Sequence, residues 1–186
     1  ILPWILVARF APLWLIWIAL LNVSVPLYFQ ARAWGLVGFL FGTSGMLWTL
    51  FGLNVIALAA WELGLAGGIH WLNRWGARAL AVLAGGFATA IGILSIVDSR
   101  EIGAWAILAY LAWILAMYVY YRLHVFDVFM LAGAALSAIV TIAAFLGKHL
   151  LPHGDAGSFL FIGLAVIGIS GAAAWWIRQM LQEQST

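Results

Sequence analysis

The sequence contains no cysteine and very few charged residues. Without cysteine there are no disulfides, no thiolate metal ligands and no cysteine nucleophile. Only 8% of the 186 residues are charged, whereas a soluble domain needs roughly a quarter to stay solvated. The eight Lys or Arg residues are scattered singly, so no basic patch indicates nucleic-acid binding. A soluble globular domain is therefore excluded.

Catalytic motifs are missing as well. The sequence has no Gly-rich phosphate loop, no G-x-S-x-G and no H-E-x-x-H, which are the local patterns that typically indicate phosphate binding, an esterase nucleophile or a zinc protease. No histidine lies in the middle of a long apolar run, which argues against a haem held between helices. We therefore expect a protein that is not an enzyme and carries no cofactor.

Long apolar runs dominate what is present, since 67% of the residues are hydrophobic. Each run is close to the ~20 residues that cross a bilayer as a helix, and none shows the alternation of barrel strands. The prediction is an all-α polytopic transmembrane helix bundle of about six spans and one interfacial helix. Residues 1–186 are expected to be a single transmembrane domain and, because they begin at Ile1, a fragment lacking its N-terminal part. The expected spans are 10–29, one within 34–64, 79–97, 102–121, 128–146 and 158–177.

The interfacial helix is expected in the segment IHWLNRWGAR between the second and third spans. Trp71, Arg74, Trp75 and Arg78 would place indoles at the acyl boundary and guanidinium groups among phosphates, so they are predicted membrane anchors. The distribution of basic residues near the helix ends, five on one face and three on the other, predicts that both chain ends are cytoplasmic.

Polar residues within the first two spans form the main candidate binding site. The sequence GTSG at 42–45 lies in an unusually long apolar run, so a broken second helix would present Thr43, Ser44 and Asn54 to Asn22, as in transport sites. The favoured alternative is a tilted or extended helix whose polar groups bond between helices. The candidate binding residues are Asn22, Ser24, Thr43, Ser44, Asn54 and Glu62.

Glu62 is the deepest acidic residue of the expected spans. It would accept a proton or cation if it were functional, but we favour its pairing with Arg74 or Arg78 near a helix end. A second polar cluster, His149, His153 and Asp155, has the residue types of a zinc site. Pro152 interrupts the regular turn, and no fourth ligand follows, so no metal site is predicted. Asp155 is expected to cap the sixth helix, as Asp127 caps the fifth.

Four strings resemble the C-terminal membrane half of bacterial proteins in domain-of-unknown-function family 2157: AWELG at 60–64, DVFMLAGAALSAIV at 127–140, TIAAFLGKHLL at 141–151 and DAGSFLFIGLAVIGISGAAAWWIRQ at 155–179. The resemblance covers the chain from about residue 10 onward. It implies a bacterial inner-membrane location and further sequence before this region. It implies no activity, substrate or catalytic residue.

The resulting hypothesis is a multi-pass inner-membrane protein that serves as a non-enzymatic scaffold or accessory subunit. The alternative is a carrier or channel for a small solute, built on the broken second helix near Asn22, Ser44 and Asn54. The lipid bilayer is the expected partner, together with other membrane protein subunits, and no nucleic acid is expected.

Overall fold

The computed structural model describes residues 4, 9–32, 36–98, 102–103, 105–150 and 156–183, with the side chains of residues 32, 36–43 and 183 outside the description. Helices account for 90% of it, and no strand occurs in these ranges. The predicted all-α helix bundle is confirmed. The helices are α1 (Ala11–Arg32), α2 (Leu36–Ala66), α3 (Arg74–Val97), α4 (Trp105–Leu123), α5 (Val128–Leu150) and α6 (Ala156–Glu183).

Each of these six helices contains a stretch long and apolar enough to cross a bilayer. The stretches have 19 to 27 residues, which matches the ~20 residues that a ~30 Å hydrocarbon layer requires. The chain is therefore a multi-pass membrane protein whose helices contact lipid. The six stretches are Ala11–Ala31, Ser44–Ala66, Arg74–Val97, Trp105–Leu123, Val128–Leu150 and Ala156–Gln182.

The chain divides into two compact units, Ile1–Phe87 and Ala88–Thr186, and the boundary falls within α3. In the first unit α1 packs against α2. In the second unit α5 packs against both α4 and α6. Small residues on one face of α3 are almost completely buried, which allows the close helix approach that membrane bundles depend on. These are Ala77, Ala81, Ala84 and Ala88.

The second helix is continuous, and the hypothesis of a break at residues 42–45 is wrong. α2 runs for 31 residues without interruption, about 46 Å at the helical rise of 1.5 Å per residue. A Ser or Thr within a helix bonds back to the carbonyl four residues earlier, so these residues do not force a break. Thr49 shows this geometry, because its Oγ1 donates to the Gly45 carbonyl oxygen at 2.8 Å.

The structure also differs from expectation between α2 and α3, where residues 67–73 form a turn instead of a separate interfacial helix. Gly68 adopts a φ of 73°, and the amides of Gly68 and Ile69 donate to the carbonyls of Leu65 and Gly64. This pair of bonds is the Schellman motif that ends a helix at a left-handed glycine. The predicted anchors Arg74, Trp75 and Arg78 consequently lie in the first turns of α3, whose start is earlier than the expected residue 79.

Two helix starts are fixed by side-chain caps. The Gly76 amide donates to Asn73 Oδ1 at 3.1 Å at the start of α3. The Phe129 amide donates to Asp127 Oδ1 at 3.0 Å at the start of α5, which confirms the capping role predicted for Asp127. Each cap satisfies one of the amides that a helix N-terminus leaves without an intrahelical partner.

Candidate functional site

Asn22 on α1 and Asn54 on α2 form a closed pair. Asn54 Nδ2 donates to Asn22 Oδ1 at 2.6 Å, and Asn22 Nδ2 donates to Asn54 Oδ1 at 3.2 Å. The second N–H of each amide donates to a carbonyl oxygen of its own helix. Asn22 Nδ2 donates to Ile18 at 2.9 Å, and Asn54 Nδ2 donates to Leu50 at 2.8 Å. Asn54 is completely buried. The expected convergence of Asn54 on Asn22 is confirmed, and both N–H groups of each amide are satisfied by the protein itself.

Ser24 and Ser44, two further expected members of this site, lie on the same two helices as the asparagine pair. Ser24 is exposed and donates to the Leu20 carbonyl oxygen of its own helix at 2.7 Å. Ser44 is half-buried near the start of the α2 span. The side chain of Thr43 lies outside the described residues. The two bonds between Asn22 and Asn54 connect α1 to α2.

Glu62 pairs with Arg74, as expected. Arg74 Nη1 lies 3.0 Å from Glu62 Oε2 and 3.3 Å from Oε1. The Glu62 side chain is only 8% exposed, whereas that of Arg74 is 35% exposed. The acid is thus enclosed by protein while its partner still reaches the surface, which is the arrangement expected of a charge pair near a helix end.

Trp61 fastens the end of α2 to the start of α3. Its indole Nε1 donates to the Asn73 carbonyl oxygen at 3.0 Å, and the ring lies over Gly76, where a Cβ would come within 2.7 Å of Cε2. Trp61 is 5% exposed. A hydrogen bond, an ion pair and an aromatic contact therefore hold the two helices at this turn.

The predicted anchors take different environments. Trp71 is half-buried and stacks on Trp14 with ring centroids 6.2 Å apart. Trp75 is 50% exposed, and Arg78 is exposed as well. The exposed Trp75 and Arg78 suit an interfacial role, whereas Trp71 packs against protein.

His149 takes part in local contacts. Its Nδ1 lies 2.9 Å from the Phe145 carbonyl oxygen, and its ring centroid lies 4.3 Å from that of Phe145. His153 and Asp155 lie outside the described residues. In the ranges that the structure describes, no three His, Asp or Glu side chains are grouped as a metal ion would require.

A buried hydroxyl cluster in the second unit was missed by sequence reasoning. Ser137 Oγ lies 2.6 Å from Thr89 Oγ1 and 3.1 Å from Tyr110 Oη, and Thr141 Oγ1 lies 3.0 Å from the same Tyr110 oxygen. Gly92 makes room for the tyrosine ring, because a Cβ there would be 3.1 Å from two ring atoms. Ser137 and Thr141 are four residues apart on one helix, but nothing in the local sequence indicates that Tyr110 reaches them.

An apolar groove was also missed. It encloses about 750 Å³ within the first unit, is partly open, and is lined by α1, α2 and the turn at 67–73. Its one hydroxyl belongs to Thr49, which bonds back to its own helix. The indole Nε1 of Trp14 is buried and lacks a hydrogen-bond partner among the described residues. Five of the lining residues are tryptophans, namely Trp14, Trp17, Trp48, Trp61 and Trp71.

Comparison of the chain with protein-family models, with curated proteins and with solved structures finds no match. The arrangement of the chain's own residues is therefore the ground on which its function is inferred.

Proposed function

We propose that this multi-pass membrane protein is a non-enzymatic scaffold or accessory subunit. The observation that carries the proposal is the closed pairing of polar groups within the spans. Asn22 and Asn54 bond each other and their own helices, and the hydroxyls of Tyr110 and Ser137 bond each other in the second unit. Polar groups satisfied in this way hold helices together in lipid; transport or catalysis would require some of them to face a substrate.

The surface of α6 supports a role in assembly. Leu160, Leu164 and Ile167 follow the spacing of one helix face and are 72%, 68% and 71% exposed. A Cβ added at Gly163 or Gly171 would meet nothing within 4 Å, so another helix would find room for close backbone approach there. We propose that this face of α6 contacts another membrane protein subunit.

The cellular location belongs to the same proposal. The resemblance to family 2157 supports a bacterial inner membrane, and the greater number of basic residues on the face of Arg9 and Arg178 supports cytoplasmic chain ends. Six spans would also return both ends to the same side of the membrane, which agrees with this orientation.

Photocrosslinking from α6 in native membranes tests the scaffold role. Benzoylphenylalanine would replace Leu164 on the exposed face and, as the matched control, the half-buried Ile162 two residues earlier. The proposal expects the Leu164 variant to give one protein adduct of defined mass, and the Ile162 variant to give none. A dimer formed by random collision does not count as this adduct. Adducts of Leu164 with lipid alone would contradict it.

Cysteine labelling separates a scaffold from a solute carrier, since the natural chain contains no cysteine. Single variants Asn22→Cys and Ser44→Cys would be treated with a membrane-impermeant maleimide in sealed vesicles of both orientations. His70→Cys, in the exposed turn on the proposed cytoplasmic face, is the positive control in inside-out vesicles. The scaffold proposal expects labelling of the His70 variant and protection of the other two over the same time. Labelling of both span variants from water would instead favour a carrier.

A further inference from the structure

We infer that the tryptophan-lined groove of the first unit binds one acyl chain of a membrane phospholipid. The groove lies in the parts of α1 and α2 that are apolar enough to span the bilayer. Apolar cavities of this kind exclude water, and an empty one would lose the dispersion contacts of all its lining atoms. Hydrocarbon is the material that the surrounding bilayer supplies to fill it.

The dimensions of the groove match a single extended chain. Its lining on α2 runs from Trp48 to Gly64, about 24 Å at the helical rise, which is most of the ~30 Å hydrocarbon thickness. A volume of about 750 Å³ spread over that length corresponds to a groove at least about 6 Å wide. Carbon atoms in contact are ~3.5–4 Å apart, so a hydrocarbon chain fits.

The two ends of the groove differ, which gives the bound lipid a direction. At one end the turn residues Ile69, Trp71 and Leu72 complete the wall, beside the ion pair of Glu62 with Arg74. Tryptophan and paired charges are typical of the headgroup level. Among the described residues that line the groove itself, none is charged at either end, so the neighbouring Glu62–Arg74 pair distinguishes the turn from the end near Trp48. The phospholipid headgroup therefore lies at the turn, and its acyl chain runs along α2 toward Trp48.

Small residues on α2 make the space for this chain. Gly52, Ala57 and Ala60 line the groove, and a Cβ added at Gly52 would meet nothing within 4 Å. A larger side chain at Gly52 would thus begin in open space and extend into the site of the acyl chain. Gly86 on α3 also has open space around an added Cβ and does not line the groove, so it provides a matched control.

The test uses tryptophan fluorescence, to which five groove residues contribute among the twelve tryptophans of the chain. The protein is placed in phosphatidylcholine vesicles with a rising fraction of lipid brominated on its acyl chain, because bromine quenches indoles that it contacts. For the natural sequence we expect a quenching component that saturates at a low fraction of brominated lipid, above the gradual quenching from bulk lipid. Gly52→Leu should lose the saturable component, and Gly86→Leu should retain it.

A second groove-filling variant, Ala60→Leu, keeps the test valid if Gly52→Leu misfolds. The helix content of each variant and its elution from a sizing column show whether it is folded. A phospholipid carrying a photoreactive group on its acyl chain should in addition label peptides that contain Leu53 or Ile56. Unchanged quenching in both folded groove variants would overturn the inference. Labelling of the groove by another protein's helix in place of lipid would overturn it too.

Discussion

The asparagine pair gives the sharpest prediction, because it can be removed from either helix or from both. Asn22→Leu and Asn54→Leu each break both bonds between α1 and α2 and leave one amide facing an apolar partner. The double variant removes both amides and leaves two leucines in a lipid-like environment. Leucine is chosen because it is close to asparagine in size and favours helix.

The expected magnitude follows from the number of bonds. Hydrogen bonds between membrane helices contribute on average ~0.6 kcal/mol each, so the two reciprocal bonds contribute about 1.2 kcal/mol together. A polar group left unsatisfied in a buried site costs ~1–3 kcal/mol. Each single variant should therefore lower the free energy of unfolding by about 1–3 kcal/mol. The double variant should lower it by about 1.2 kcal/mol less than the sum of the singles.

The assay is equilibrium unfolding in mixed micelles with increasing dodecyl sulfate, followed by far-ultraviolet circular dichroism for the natural sequence, both singles and the double. Ser24→Ala combined with Asn54→Leu serves as the control cycle, because Ser24 bonds only to Leu20 of its own helix in the described contacts. That control should be additive within ~0.5 kcal/mol. An additive result for Asn22 and Asn54 would refute the claim that the pair joins the two helices.

Two further predictions concern the turn between α2 and α3, and melting in detergent measures both. Arg74→Gln should destabilise the protein by ~3–5 kcal/mol, since it removes the cation of an ion pair whose carboxylate is nearly buried. Glu62→Gln should cost only about 1–2 kcal/mol, because the Arg74 side chain still reaches solvent. Equal costs would contradict this asymmetry. Gly76→Ala should destabilise the protein by ~1–3 kcal/mol, because the added Cβ would collide with the Trp61 ring. The control Gly86→Ala, where the Cβ meets open space, should leave stability unchanged or raise it by up to ~1 kcal/mol through the higher helix propensity of alanine. A Gly76→Ala protein as stable as the natural one would show that the ring moves aside easily.

The sequence was sufficient for the spans because hydropathy depends on residue type and not on partners. It was sufficient for the pairing of Glu62 because a charged side chain near a helix end in lipid has few possible partners of opposite charge, and Arg74 follows after a short turn. It also indicated Asn22 and Asn54, since two amides in neighbouring apolar helices are most stable when they bond each other.

The errors arose where local patterns are ambiguous. Basic and aromatic residues repeat every four positions from His70 to Arg78, which is typical of a helix, but the Schellman turn at Gly68 and the Asn73 cap divide that segment between a turn and α3. Gly, Ser and Thr at 42–45 suggested a break, although such residues remain helical when their hydroxyls bond backward.

The features that were missed depend on long-range contacts. Tyr110 and Ser137 are 27 residues apart, and the groove combines α1, α2 and a turn whose individual sequences contain only ordinary apolar and aromatic residues. Neither arrangement has a local periodicity from which it could be derived.

The hydroxyl cluster has a consequence for how α5 is oriented about its own axis. Hydrocarbon surrounds a membrane helix without distinguishing one apolar side from another, so hydrophobicity alone leaves the helix free to rotate. A rotation by one residue, about 100°, would bring the now largely exposed Leu136 to the position of Ser137 and deprive Thr89 and Tyr110 of their shared oxygen. The four hydroxyl groups of this cluster, on Thr89, Tyr110, Ser137 and Thr141, thus select a single orientation of α5 about its own axis.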